Sequence, residues 1–77
     1  MAEKSWLGKD LRDCTVAEQD DVVKTMAEIY EKRSFSRTQT VLLITNATKI
    51  ISADRITDIV LDVYEEHTHH KKKHHRG

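Results

Sequence analysis

The side chains best suited to chemistry in this chain crowd together at its C-terminal end. All five histidines lie at positions 67–75, and on a continuing helix His70 and His74 stand one turn apart on the same face. That spacing can place two imidazoles on one zinc, copper or nickel ion. A solvated His-rich segment also binds such ions loosely without a built site, and no Cys/His pair elsewhere completes a structural set of ligands. Between the histidines, Lys71, Lys72 and Lys73 together with Arg76 offer fixed positive charge to phosphates. Histidines, with an ordinary pKa of about 6.5, add to that charge in mild acid. These are the candidate metal-binding and nucleic-acid-binding positions, although no aromatic ring lies among them to stack on a base.

The rest of the chain is poor in reactive groups. Acid–base and nucleophilic chemistry need groups held in fixed relation, and residues 1–66 contain no histidine, one thiol and no glycine-rich phosphate cradle. A non-enzymatic protein with no cofactor and no small-molecule substrate is therefore the expectation. Cys14 follows Asp13 and gains no cation that would activate it, so a plain buried or half-buried thiol is expected. Asp58, Asp62, Glu65 and Glu66 recur at helical spacing on what should be a wet face, where a solvated surface is the commoner reading than a metal cluster.

Charge is balanced overall, with thirteen basic and thirteen acidic residues, yet it is unevenly placed. Residues 1–66 hold nine basic and thirteen acidic side chains, a net of −4, and the remaining basic residues sit in the tail. A body of that sign repels phosphate, so any contact with nucleic acid falls to the tail. The lone cysteine forms no internal disulfide, and a reducing, intracellular setting (cytoplasmic or nuclear) is the simpler assumption. The longest apolar run is four residues, far short of the roughly 20 that span a bilayer. Asn46-Ala47-Thr48 matches the glycosylation sequon, a triplet that is common by chance and needs the secretory route.

Proline is absent, and the only glycine before the last residue is Gly8, so helices joined by Ser, Thr and Asn fit better than hairpins. Ser5 can cap a short helix over 5–14 with Trp6, Leu7 and Leu11 along one side. Thr15-Val16-Ala17-Glu18 has the form of a capping box, and Val22, Val23, Met26, Ala27, Ile29 and Tyr30 follow at helical period, which predicts a helix over 16–33. Ser36-Arg37-Thr38-Gln39 offers a second capping box after a break at Ser34.

Two readings stay open for 38–52. Leu43, Ile44, Ala47, Ile50 and Ile51 share a helical face, giving a helix near 37–51, whereas the β-branched residues of 40–52 suit a hairpin turning at Asn46-Ala47. Ser52 then caps a helix over 53–67 whose stripe is Ile56, Ile59, Val60, Val63, Tyr64 and His67. The fold class is thus mainly α, a small domain of three to four helices, or alternatively α+β with the hairpin between two helices. Residues 1–66 make the single domain and 67–77 a flexible His/Lys-rich tail.

About 22 large apolar side chains in so short a chain make a small core, and such cores rarely supply more than about 3–5 kcal/mol without a disulfide, a metal or a partner. The first expectation for function is accordingly a protein–protein interaction module, a dimer or a subunit of a larger assembly. Tyr30, Leu61 and Tyr64 are its candidate interface residues, Leu61 because it lies off the apolar stripe. The alternative is a nucleic-acid-associated protein using the tail. Lys49-Ile50-Ile51-Ser52-Ala53-Asp54-Arg55-Ile56 resembles the opening of the last helix of a histone-fold protein, a likeness that would extend over 5–66 and implies an obligate dimer. Its net −4 body resembles a transcription-associated member of that family, while Arg33 and Arg37 around the Ser34 break depart from the family's long middle helix. With the hairpin, Trp6-Leu7-Gly8, the 16–33 helix and segments 40–45 and 48–52 look like the opening half of a phosphotyrosine-binding-type domain, whose later strands and closing helix have no counterpart.

Overall fold

The computed structural model describes the backbone of residues 4–76 and the side chains of residues 4–66. A 3-10 turn at Leu11–Asp13 precedes three helices, α1 (Val16–Lys32), α2 (Arg37–Thr48) and α3 (Ala53–Arg76). Each helix packs against the other two. The fold is a small mainly α domain, and among the described residues there is no strand, so the 40–52 hairpin and the phosphotyrosine-binding-type layout built on it fall away.

The local signals that start α1 and α3 act as their spacing predicts. The Thr15 hydroxyl accepts from the Glu18 N–H while the Glu18 carboxylate accepts from the Thr15 N–H, which satisfies two donors exposed at the helix start. Ser36 accepts from the Gln39 N–H and Ser52 from the Arg55 N–H, the hydroxyl half of the same device.

The break between α1 and α2 is a Schellman motif. Ser34 takes the left-handed conformation, its N–H donates to the Glu31 carbonyl, and the Phe35 N–H donates to the Tyr30 carbonyl. The apolar contact that accompanies this motif is the Tyr30–Phe35 ring pair, with centroids 5.3 Å apart and planes tilted by 43°. The middle of the chain is therefore two helices meeting at a corner, and the long middle helix of a histone fold is absent from it. Lys49, also left-handed, closes α2 by donating its N–H to the Thr45 carbonyl.

The core joins Val23 and Ala27 of α1, Ile44 of α2, and Ile51, Ile56, Val60 and Val63, with Leu11, Met26, Tyr30, Val41, Ile59 and Tyr64 packed around it. The α1 and α3 stripes follow those read from the sequence with one departure: Ile29 of the expected α1 stripe is exposed, and His67, at the end of the α3 stripe, lies outside the residues whose side chains are described. The α2 face does not: Ile44 and Ile51 are buried, but Leu43, Ala47 and Ile50 are exposed, and Thr40 and Thr48 take the inward places. Two buried threonines are tolerable because both hydroxyls are bonded, Thr48 to the Ile44 carbonyl at 3.0 Å and Thr40 to the Tyr64 hydroxyl at 2.7 Å. The Tyr64 hydroxyl in turn donates to the Phe35 carbonyl at 2.7 Å. Since that bond uses the tyrosine's single proton, Thr40 is the donor to Tyr64. This relay ties the α1–α2 corner to α3.

The expected helix over 5–14 is instead a turn followed by the 3-10 segment. Gly8 lies at φ 81°, a conformation an α-helix does not contain. Side-chain bonds to the first turns of α1 hold this strap in its place. Ser5 donates to Glu18 at 2.7 Å, Lys9 to Glu18 at 3.2 Å and the Trp6 indole N–H to Asp21 at 2.7 Å.

These donors hold the Glu18 carboxyl down from 4.5 to about 2, the Thr15 N–H contributing most, followed by Ser5 and Lys9. Asp21 is lowered too, chiefly by the Trp6 indole and then by Lys4. Carboxyls lowered by folding contribute stability that is complete above their unfolded values and is lost as pH falls through their folded ones. Trp6, the only tryptophan, reports the event. Its emission is expected to stay constant from neutral pH to the ordinary carboxylate range and to shift red only as pH falls below it toward about 2. A fluorescence titration with its midpoint at 4.5 or above would show that the strap is not held through these acids.

Candidate interaction surface

On a helix with about 100° per residue, the inward positions Thr40, Ile44 and Thr48 put Gln39, Leu42 and Asn46 on the opposite side of α2, with Leu43 at the edge of that side. All four are exposed, Leu42 by 57% and Leu43 by 37%. Eleven consecutive residues, 38–48, carry no charge. α2 is thus uncharged on its wet side, with two leucines between two amides, whereas α1 and α3 carry charge outward at Lys24 and Glu28 or Asp54, Asp58 and Glu65, although Val16 and Ile29 of α1 are exposed too.

Grooves run along both edges of this face. On the α3 side, Val41, Leu42, Val60 and Leu61 form most of a cavity of about 440 Å³, with Arg37 and Thr57 at its margin. On the other side, a cavity of about 360 Å³ lies between α1, α2 and the strap, lined by Trp6, Leu11, Met26 and Ala47 among others. Cys14 borders it, buried, with its thiol 3.5 Å from the Asp10 carbonyl. Between α1 and α3 the character changes: Asp20, Asp21, Asp62 and Glu66 surround Ile59 and Ala17 in a cavity of about 340 Å³. Arg55 bridges to Asp20 at one end of the α1–α3 contact, a half-exposed pair of the kind that contributes up to about 1 kcal/mol.

Of the three interface residues expected from the sequence, Leu61 lies half-buried on the α3 wall of the larger groove, beside Leu42. Tyr30 and Tyr64 are half-buried against the core, the first stacked on Phe35 and the second engaged with Thr40 and Phe35. They brace the helix corner behind the exposed face. Leu42 and Leu43 carry most of the apolar exposure on that face. Periodicity hides them, because α2 mixes apolar and uncharged polar residues on every side and gives no hint of which side turns outward. The tail positions His70, His74, Lys71, Lys72, Lys73 and Arg76 lie outside the residues whose side chains are described. Among the described residues no group of three or more His, Cys, Asp or Glu is placed to hold a metal ion, and no helix is long and apolar enough to cross a membrane.

No protein-family model, no curated protein and no solved structure matches the chain.

Proposed function

We propose that this chain is a small, non-enzymatic, intracellular protein–protein interaction module that meets its partner through the outer face of α2 and the groove beneath Leu61. The observation that carries the reading is the exposure of Leu42 and Leu43 on a helix with no charged residue between Arg37 and Lys49. Covering the part of each leucine still in water contributes a fraction of the about 1.5–3 kcal/mol that full burial yields, and depletion of charge marks the centre of an interface. The face is also rigid, since the Thr40–Tyr64–Phe35 relay and the Schellman corner fix the helix that bears it. A partner meeting a preformed helix loses less by ordering it. The single unpaired cysteine supports the reducing compartment.

A photo-crosslinking residue placed in cells at position 42, or at 43, tests the reading. Discrete adducts are expected from both positions and none from Lys24 or Asp58, which lie on charged faces. Equal labelling from all four, or no adduct from 42 and 43, would overturn it.

A further inference from the structure

We infer that the partner of the α2 face is a second copy of this chain, docked antiparallel about a two-fold axis between Leu42 and Leu43; this rests on the reading of α2 as the contact surface. A two-fold contact requires a patch that complements itself, so that residue i meets residue j and residue j meets residue i. α2 has that property in its residue order. Reading outward from the Leu42–Leu43 pair, Val41 matches Ile44, Thr40 matches Thr45 and Gln39 matches Asn46. The structure turns the outer members of this palindrome, Gln39, Leu42, Leu43 and Asn46, into solvent together.

Antiparallel pairing sets each leucine pair against its counterpart. It also brings each Gln39 amide opposite an Asn46 amide, where donor meets acceptor in both directions. Such a polar pair flanking an apolar centre selects one register. Charge points the same way. Residues 1–66 carry a net −4, and along 38–48 two copies meet without bringing any charges together. One helix face buries less than the about 800 Å² per partner of a standard interface, which puts the contact in the small, reversible class.

Two measurements on the full chain test the inference. Sedimentation equilibrium is expected to show a monomer–dimer equilibrium with a midpoint near about 10–100 µM, and the Leu42→Glu/Leu43→Glu variant is expected to stay monomeric with an unchanged helical circular dichroism spectrum. In a Cys14→Ala background, equal amounts of Gln39→Cys and Asn46→Cys chains are then mixed and oxidised. The 39–46 heterodisulfide is expected to exceed both homodisulfides by far more than the statistical excess that random pairing of equal amounts already gives. A heterodisulfide yield at or below the statistical one would overturn the antiparallel register, and a monomer at about 1 mM would overturn the second copy as partner. In that last case, an adduct to another protein from position 42 leaves the α2 surface standing, whereas its absence removes both readings.

Discussion

Truncating Ile56 to alanine is expected to remove the cooperative unfolding transition of this protein. Ile56 has no exposed surface and is among the largest fully buried side chains, lodged in the first turn of α3 where its N–H also bonds the Ser52 carbonyl. Loss of a buried isoleucine side chain to alanine costs about 2–5 kcal/mol, part transfer and part cavity. A core of this size supplies about 3–5 kcal/mol in all, so the one change consumes most of it. Leu42→Ala is the matched control at concentrations well below the dimer midpoint, since Leu42 is 57% exposed in the single chain and the change should stay within about 0.5 kcal/mol. Thermal melts followed by circular dichroism check both. An Ile56→Ala protein melting cooperatively within a few degrees of the parent would mean that α3 does not pack through this residue.

The second large effect belongs to the Thr40–Tyr64–Phe35 relay. Tyr64→Phe removes the acceptor of a hydroxyl that is completely buried and the donor to the Phe35 carbonyl, and is expected to cost about 1–3 kcal/mol. Thr40→Val is expected to cost less, because valine keeps the shape and Tyr64 retains its bond to Phe35. The asymmetry has a sharper consequence. Combining the two changes leaves no stranded hydroxyl at position 40, so the double variant should be more stable than the sum of the two losses, with a coupling of about 1 kcal/mol. Chemical denaturation of all four proteins closes the cycle. Strict additivity, or a Thr40→Val loss as large as that of Tyr64→Phe, would place the relay outside the energetics of the fold. Weakening it should also loosen the corner behind the exposed leucines, because Phe35 lies between α1 and α2 and its carbonyl accepts from Tyr64.

Much of this architecture is determined by the sequence alone, and the reason is that its causes are local. The capping box at Thr15 and Glu18 and the caps at Ser36 and Ser52 act over three residues. The stripes Val23–Ala27–Tyr30 and Ile56–Val60–Val63 follow from one helical period, and polar residues opposite them leave no choice of inward face. Where apolar and uncharged polar residues mix on every side of a segment, that logic has nothing to act on. The rotation of α2 is decided by Thr40, whose partner Tyr64 lies 24 residues away, and by left-handed caps at Ser34 and Lys49, residue types that do not advertise such a conformation. The same holds for the strap. Glu18 and Asp21 read as acids suited to a helix start, and only the folded chain shows that they also receive Ser5, Trp6 and Lys9. Short-range bonding thus makes the helices legible one at a time. Which residues of α2 are left facing water, and therefore where a partner can attach, depends on contacts between parts of the chain that come together only in tertiary structure.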